Sequence, residues 1–349
     1  MRCAVTGGAG FIGSNLVRMM LHHGHHVFNL DALTYAGNLH SLHDVELHPH
    51  YRFAQVDLVQ SPNLFDLLED FQPDCVVHLA AESHVDRSID GPGKFVQTNV
   101  VGTYQLLQAA TRYWKSLSPV SQDKFRFLHV STDEVFGSLG NDGFFTESTS
   151  YDPRSPYSAS KAASDHLVRA WFHTYGLPTL ITNCSNNYGP YQFPEKFIPV
   201  VLLKCLRQEP IPVYGQGQNI RDWLYVNDHC TALEIVLQRG RVGETYAIGG
   251  NNEMRNIDLA VKLCRIMDQL HPSTTVRRHE DLLTFVTDRP GHDLRYAIDA
   301  SKIRQELGWQ PSTDHDTLLR QTAQWYLENP TWWTDILSGS YRLNRLGLP

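Results

Sequence analysis

The sequence predicts an α/β fold: a Rossmann-type doubly wound parallel sheet joined to a smaller, mixed α/β lobe. Three observations predict it. A glycine-rich turn, Gly7-Gly8-Ala9-Gly10-Phe11-Ile12-Gly13, lies between an apolar strand and a helical segment. Continuous apolar strands then alternate with helices through the first half of the chain. After about residue 187, Gly, Pro and aromatic residues become frequent and the segments shorten, which places the second lobe there.

The elements follow in order. Residues 2–6 read as the first strand and residues 10–22 as the first helix, with Gly24 as its cap. Strands follow at 26–30, ending in Asp31, and at 51–56, ending in Asp57. Residues 61–71 predict a helix with Ser61 as N-cap and Pro62 in its first position. A buried strand is expected at 75–80, a long helix at 93–114 and a strand at 125–130. A helix at 155–175 leads through Leu177-Pro178 to a strand at 179–182. The two lobes are expected at 1–187 and 188–349, with segments near 223–240 open to returning to the first. Residues 116–124 and the tail from Tyr341 to Pro349 carry no pattern that we can read.

Composition narrows the function. The 349 residues carry 30 basic and 37 acidic side chains, a net charge of −7, which argues against nucleic acid as a partner. No apolar run is long enough for a bilayer, so no membrane partner is expected. The chain opens on a strand without leader-like features, so a cytoplasmic location is expected. No two of the six cysteines form a C-x-x-C pair, and they read as reduced, buried residues. His22, His23, His25 and His26 cluster, but they read as the polar end of the first helix; no metal is expected.

The glycine turn points to a dinucleotide. Gly7, Gly10 and Gly13 give a G-x-x-G-x-x-G spacing, which lets backbone approach a pyrophosphate at a helix N-terminus. Asp31 ends the next strand, where a carboxylate accepts from both adenosine ribose hydroxyls and repels a 2′-phosphate. The cofactor is therefore expected to be NAD. Asp57 is expected beside the adenine, and the segment 79–83 at the cofactor edge of the sheet.

Two further clusters carry chemistry. Tyr157 and Lys161 stand four residues apart, on one helix face, so Lys161 is expected to lower the phenol pKa and reach the nicotinamide ribose. A tyrosinate there can take a proton from an alcohol being oxidised. Thr132, Asp133 and Glu134 follow the fifth strand. A simple oxidoreductase needs only the hydroxyl. Two adjacent carboxyls repel, so one pKa should rise, which suits one general acid and one general base; an acidic, solvated turn is the plainer alternative.

At these residues the chain resembles the dTDP-glucose 4,6-dehydratase family, a sugar-nucleotide branch of the extended short-chain dehydrogenases. The resemblance rests on the segments 31–38, 80–88, 131–137, 183–190, 221–223 and 288–293, and the Thr132-Asp133-Glu134 trio is the most specific. It implies an NAD-dependent hydro-lyase acting on dTDP-glucose, with NAD regenerated. Tyr157 and Thr132 would act at the 4-hydroxyl, Glu134 would remove the C5 proton, and Asp133 would protonate the departing 6-hydroxyl. It adds cofactor contacts at Phe11, Ile12, Ala32, Leu33, Thr34, Leu58, Leu79, Ala80, Ala81, Ser83, Thr98 and Asn187. Substrate contacts are implied at Ser83, Thr132, Asn186, Lys196, Phe197, Pro212, Tyr214, Arg221, Asn256, Arg289 and His292, with Arg221 and Arg289 as the phosphate ligands. It further implies a homodimer through the helices near 93–114 and 155–175. Asn227 departs from the family pattern, standing where an acidic residue is usual. The alternatives are a UDP- or CDP-hexose 4,6-dehydratase, a UDP-sugar 4-epimerase or decarboxylase, and a non-catalytic NAD-binding scaffold. The acidic pair speaks against the epimerase and decarboxylase. The five reactive side chains together speak against the scaffold.

Overall fold

In the computed structural model, residues 1–338 are described. The expected tail from Tyr341 to Pro349 lies outside them. The main sheet contains β1 (Arg2–Thr6), β2 (His26–Asp31), β3 (Tyr51–Gln55), β4 (Cys75–His78), β5 (Arg126–Thr132), β6 (Thr179–Cys184) and a later strand (Thr245–Ile248). Their order is β3-β2-β1-β4-β5-β6 and then the later strand, and every pairing is parallel. The order of strand addition reverses between β1 and β4, so the carboxyl ends of these strands open a crevice.

Both faces of the sheet are covered, which explains the near-continuous apolar strands. Alternation along the pleat divides them. Cys3, Val5 and Val27 face Leu16, Val17 and Met20 of the helix Phe11–His22. Ala4, Phe28 and Val76 face Leu68, Leu106 and Val168 of the helices Leu64–Phe71, Thr103–Ser116 and Pro156–Tyr175. The helix Val226–Arg239 packs Cys230, Leu233 and Val236 onto the first face. The chain thus re-enters the first layer after residue 225, and its strand at 245–248 completes the seven.

The second lobe has its own core, built around Ile198, Leu202, Leu259, Leu263, Leu319 and Tyr326. It also carries a three-stranded sheet of Asn186–Tyr188, Ile220–Tyr225 and Glu253–Arg255, and a parallel pair of Ile211–Tyr214 and Leu283–Val286.

Two expectations need correction, and one segment without a reading proves ordered. The second helix starts at Leu64, not near Ser61, because the Asp57 carbonyl accepts from Gln60 N–H and Ser61 N–H and turns the chain first. The long helix at 93–114 is not uniform: a π-helical stretch, Val96–Gly102, precedes the α-helix Thr103–Ser116. There the Asn99 side chain is committed outward to the Glu82 carbonyl and Ser160 Oγ, and Gly102 packs closely on Leu58. π-Helical turns of this kind are frequent at functional sites. Residues 116–124 are ordered by the short helix Pro119–Lys124, capped by Ser118 with Pro119 at its first turn.

Candidate active site

The glycine turn has no room for side chains. A Cβ on Gly7, whose φ is +72°, would stand 2.7 Å from the Ala80 nitrogen. One on Gly13 would stand 2.7 Å from the Gly8 Cα. Gly8 was not singled out by spacing, yet a Cβ there would collide with the Asn29 side chain. The Asp31 carboxylate accepts from Ala9 N–H at 2.9 Å and Leu33 N–H at 2.8 Å, which locks it beside this turn. Burial pushes its pKa up and these two bonds partly restore it. A bare backbone at a helix N-terminus beside a fixed carboxylate fits a dinucleotide with a free 2′-hydroxyl.

The other expected cofactor residues collect at the same sheet edge. Phe11 and Ile12 open the first helix; Ala32, Leu33 and Thr34 follow β2, and Asp57 and Leu58 follow β3. Leu79, Ala80, Ala81 and Ser83 follow β4, Thr98 lies in the π-helical stretch, and Asn187 is in the strand Asn186–Tyr188. Asn187 is held by His229, whose Nδ1 lies 2.9 Å from its Oδ1.

The helix Pro156–Tyr175 starts at a capping box in which Ser155 and Ser158 exchange bonds, and it ends at Gly176 in a left-handed conformation. It carries Tyr157 and Lys161, both buried. The expected lowering of the Tyr157 pKa by Lys161 is not what the structure shows, since Lys161 is not among the main causes that shift it. Lys161 Nζ donates to the Val130 carbonyl at 2.9 Å, and burial lowers its pKa. Tyr157 is instead pushed well above the ordinary phenol value, first by burial and then by the Glu134 charge. The Thr132 hydroxyl, hydrogen-bonded to it, works the other way.

β5 ends in Thr132, which caps the 3₁₀ turn Asp133–Phe136 by accepting from Glu134 N–H at 3.3 Å. The two carboxyls therefore leave one turn toward different surroundings. Asp133 is raised well above its usual range by burial, then by Glu134 and Asp222, and its Oδ2 is buried without a partner. Glu134 is raised by burial, but Arg289, Arg221 and Lys196 all oppose that rise. The solvated-turn alternative fails, because Asp133 is only 1% exposed.

A cleft between the lobes receives Glu134, Ser83 and Asn187. Every expected substrate contact except Thr132 lines it: Asn186, Lys196, Phe197, Pro212, Tyr214, Arg221, Asn256, Arg289 and His292. Lys196 Nζ donates to the Ser83 carbonyl at 2.9 Å. Arg221 donates to the Ile220 and Asp293 carbonyls and lies over the Tyr296 ring at 4.2 Å. Arg289 donates to Asp86 at 2.9 Å, while its Nε is buried without a partner. His292 pairs with Asp288 at 2.6 Å; burial and then the Arg289 charge lower its pKa to about 4. Sequence reasoning missed Asp86, Gln192, Glu195 and Trp223, which also line the cleft. Glu195 accepts from Arg87 Nε at 2.9 Å and Tyr35 OH at 3.0 Å, joining the two lobes.

Away from the cleft, His23 and His25 both pair with Glu234 at 2.9 Å. No group of His, Cys, Asp or Glu among the described residues is arranged to hold a metal ion.

Comparison with known proteins decides the family. Residues 4–322 match the family model described as GDP-mannose 4,6 dehydratase. The dTDP-glucose 4,6-dehydratase of Xanthomonas campestris pv. campestris (strain B100) is 58% identical over 343 residues, 98% of each chain. That of Neisseria meningitidis serogroup B is 57% identical over 347 residues, again 98% of each. The chain belongs to the dTDP-glucose 4,6-dehydratase family. Solved members of this family share the fold. The Streptomyces venezuelae enzyme, with NAD and dTDP bound, has a TM-score of 0.87 at 44% identity, covering 96% of this chain and 100% of that one. The Bacillus anthracis enzyme, in complex with NAD, has a TM-score of 0.85 at 42% identity, covering 96% and 99%. UDP-glucose 4-epimerase of Thermus thermophilus has a TM-score of 0.82 at 25% identity, covering 94% and 100%. The fold is thus common to dehydratase and epimerase. The fold alone therefore does not separate the two activities; that falls to the side chains of the site.

Proposed function

We propose that the protein converts dTDP-glucose to dTDP-4-keto-6-deoxyglucose and water, acting as a hydro-lyase. The observation that carries this reading is the divided acidic pair. Burial raises both carboxyls, but Glu134 and Asp222 add to the rise at Asp133, whose Oδ2 has no partner, whereas Arg289, Arg221 and Lys196 oppose the rise at Glu134. Bound NAD, held by the glycine turn and Asp31, would supply reversible oxidation of the sugar.

The protein's own groups divide the remaining work. Tyr157 and Thr132 would face the 4-hydroxyl, with Tyr157, as its phenolate, accepting the proton; the positive charge of a bound nicotinamide ring would oppose the rise that burial and Glu134 cause. Once C4 is a ketone, the C5–H is acidic enough for Glu134 to remove. Asp133 gives its proton to the 6-hydroxyl, which leaves as water. Arg221 and Arg289 hold the diphosphate, whose charge also answers the unpaired Arg289 Nε. Asp31 selects NAD, and the glycine turn holds its pyrophosphate. Lys161 reaches the nicotinamide ribose.

The functional unit is a homodimer paired through the helices near 93–114 and 155–175. Supporting this, Val96, Tyr104 and Tyr175 are exposed on these segments, while Leu106, Leu107 and Val168 are buried within the protomer. The six cysteines are free and buried, which supports a cytoplasmic location.

The test is incubation with dTDP-, UDP- and CDP-glucose, followed by the alkaline absorbance of a 4-keto-6-deoxy product. Product from dTDP-glucose is expected. No product from any of the three sinks the proposal.

A further inference from the structure

Beneath Tyr157 and Lys161 lies a buried set of titratable groups that the proposed chemistry leaves unused. Asp165 follows Lys161 by four residues, on the same face of the helix Pro156–Tyr175, and is 0% exposed. Its Oδ1 lies 3.1 Å from His129 Nε2. Its Oδ2 accepts from Ser131 Oγ and Tyr151 OH, each at 2.8 Å, and lies 3.4 Å from Asn183 Nδ2. His129 Nε2 is also 3.4 Å from Lys161 Nζ. Both contacts fall on one ring nitrogen: with Nε2–H donating to Asp165, the ring sets the buried ammonium and carboxylate close together without relaying a hydrogen bond between them.

Such a carboxylate is costly unless a cation balances it. Arg169 touches Tyr151 OH, at 2.9 Å, rather than the carboxylate. Lys161 is the cation left inside. The groups facing Lys161 are His129 from β5, His78 from β4, Cys184 from β6, and Tyr157 and Asp165 from its own helix. Burial keeps both histidines neutral and pushes the Cys184 thiol up to about 12. Asp165, held below the usual carboxylate range by its hydrogen bonds, is the anion that remains.

We propose that Asp165 is a positioning residue: held close to Lys161 at the shared His129 Nε2, it supplies the countercharge that keeps Lys161 an ammonium and fixes it beneath the reacting site. The same carboxylate binds Ser131, next to Thr132, so one group sets the catalytic strand end against the Tyr157 helix. The inference rests on the proposed function only in giving Lys161 a role in turnover.

Two measurements on the full-length holoenzyme test it. Asp165→Asn should move the alkaline limb of kcat down by about one pH unit or more, since loss of the anion lets Lys161 deprotonate sooner. KM for dTDP-glucose should change less than about threefold, because no substrate contact is lost. Thermal melting then supplies a readout independent of turnover. Lys161→Met should lower Tm by stranding the carboxylate, and adding Asp165→Asn to it should raise Tm again. Recovery of the folded double variant, when Asp165→Asn alone fails to fold, counts in favour. An unmoved pH profile with additive losses of Tm overturns the proposal, as does failure of the double variant to fold when Lys161→Met folds. If the parent does not turn over dTDP-glucose, the functional proposal falls and the melting comparison still decides this one.

Discussion

Gly13→Ala tests the cofactor cradle most sharply. The new Cβ would stand 2.7 Å from Gly8 Cα and 2.9 Å from the Gly7 carbonyl carbon, and nearer still to the Gly7 oxygen. All three are backbone atoms, so relief requires the turn to lift off the helix. Overpacking of this kind costs about 1–3 kcal/mol. Better helix propensity returns up to about 1 kcal/mol. The net loss is about 1–2 kcal/mol, which in a chain this long lowers Tm by only a few degrees. Cofactor binding should suffer more, because displacing the turn moves the N–H groups that hold the pyrophosphate; a tenfold loss corresponds to about 1.4 kcal/mol. Gly24→Ala is the control: its φ is +76° and nothing lies within 4 Å of a Cβ there. It should cost about 1 kcal/mol of backbone strain and leave NAD binding intact. Calorimetric titration of NAD, with melting curves, separates the two. Unchanged NAD affinity in Gly13→Ala, or equal loss in Gly24→Ala, would refute the reasoning.

Further outcomes follow from the same structure. Glu134→Gln should cut turnover by about 10²–10⁴ and stop C5 proton exchange with solvent, with NAD still bound; exchange by NMR checks it. His129 and His229, depressed by burial from 6.5 to about 4 and about 3, stay neutral when folded. Below about pH 6.5 the unfolded chain takes protons that the folded chain refuses, so stability should fall with pH by up to about 1.4 kcal/mol per histidine per unit. Melting at pH 7 and 5 measures that. Val96→Glu, at a site 49% exposed, should turn the proposed dimer into monomer in sedimentation experiments.

Much of the fold was legible because the signals were local. Alternating apolar strands and helices gave the sheet, and Ser155 and Gly176 bound the long helix as caps should. The π-helical stretch was not legible. Val96 to Gly102 reads as ordinary helix, and only the distant partners of Asn99 mark the change. Helix Pro119–Lys124 did carry a signal, Ser118 followed by Pro119, that went unread. At the site, Thr132, Asp133, Glu134 and Tyr157 were found from the sequence. How the shifts of the two carboxyls divide was not, because they depend on burial first and then on Arg221, Arg289, Lys196 and Asp222, which arrive from the other lobe. Asp165 shows the same limit. Its spacing from Lys161 is visible in the sequence, but their shared contact at His129 Nε2 exists only once β5 is placed beside the helix.

The central claim is that the proposed reaction carries the hydrogen of C4 to C6 within a single turnover. The direct measurement uses dTDP-glucose carrying deuterium at C4, with the product read by NMR or mass spectrometry. The account predicts deuterium at C6 of the 4-keto-6-deoxy product, with C5 hydrogen drawn from solvent. Recovery of the label at C4, or its loss to water, would contradict it.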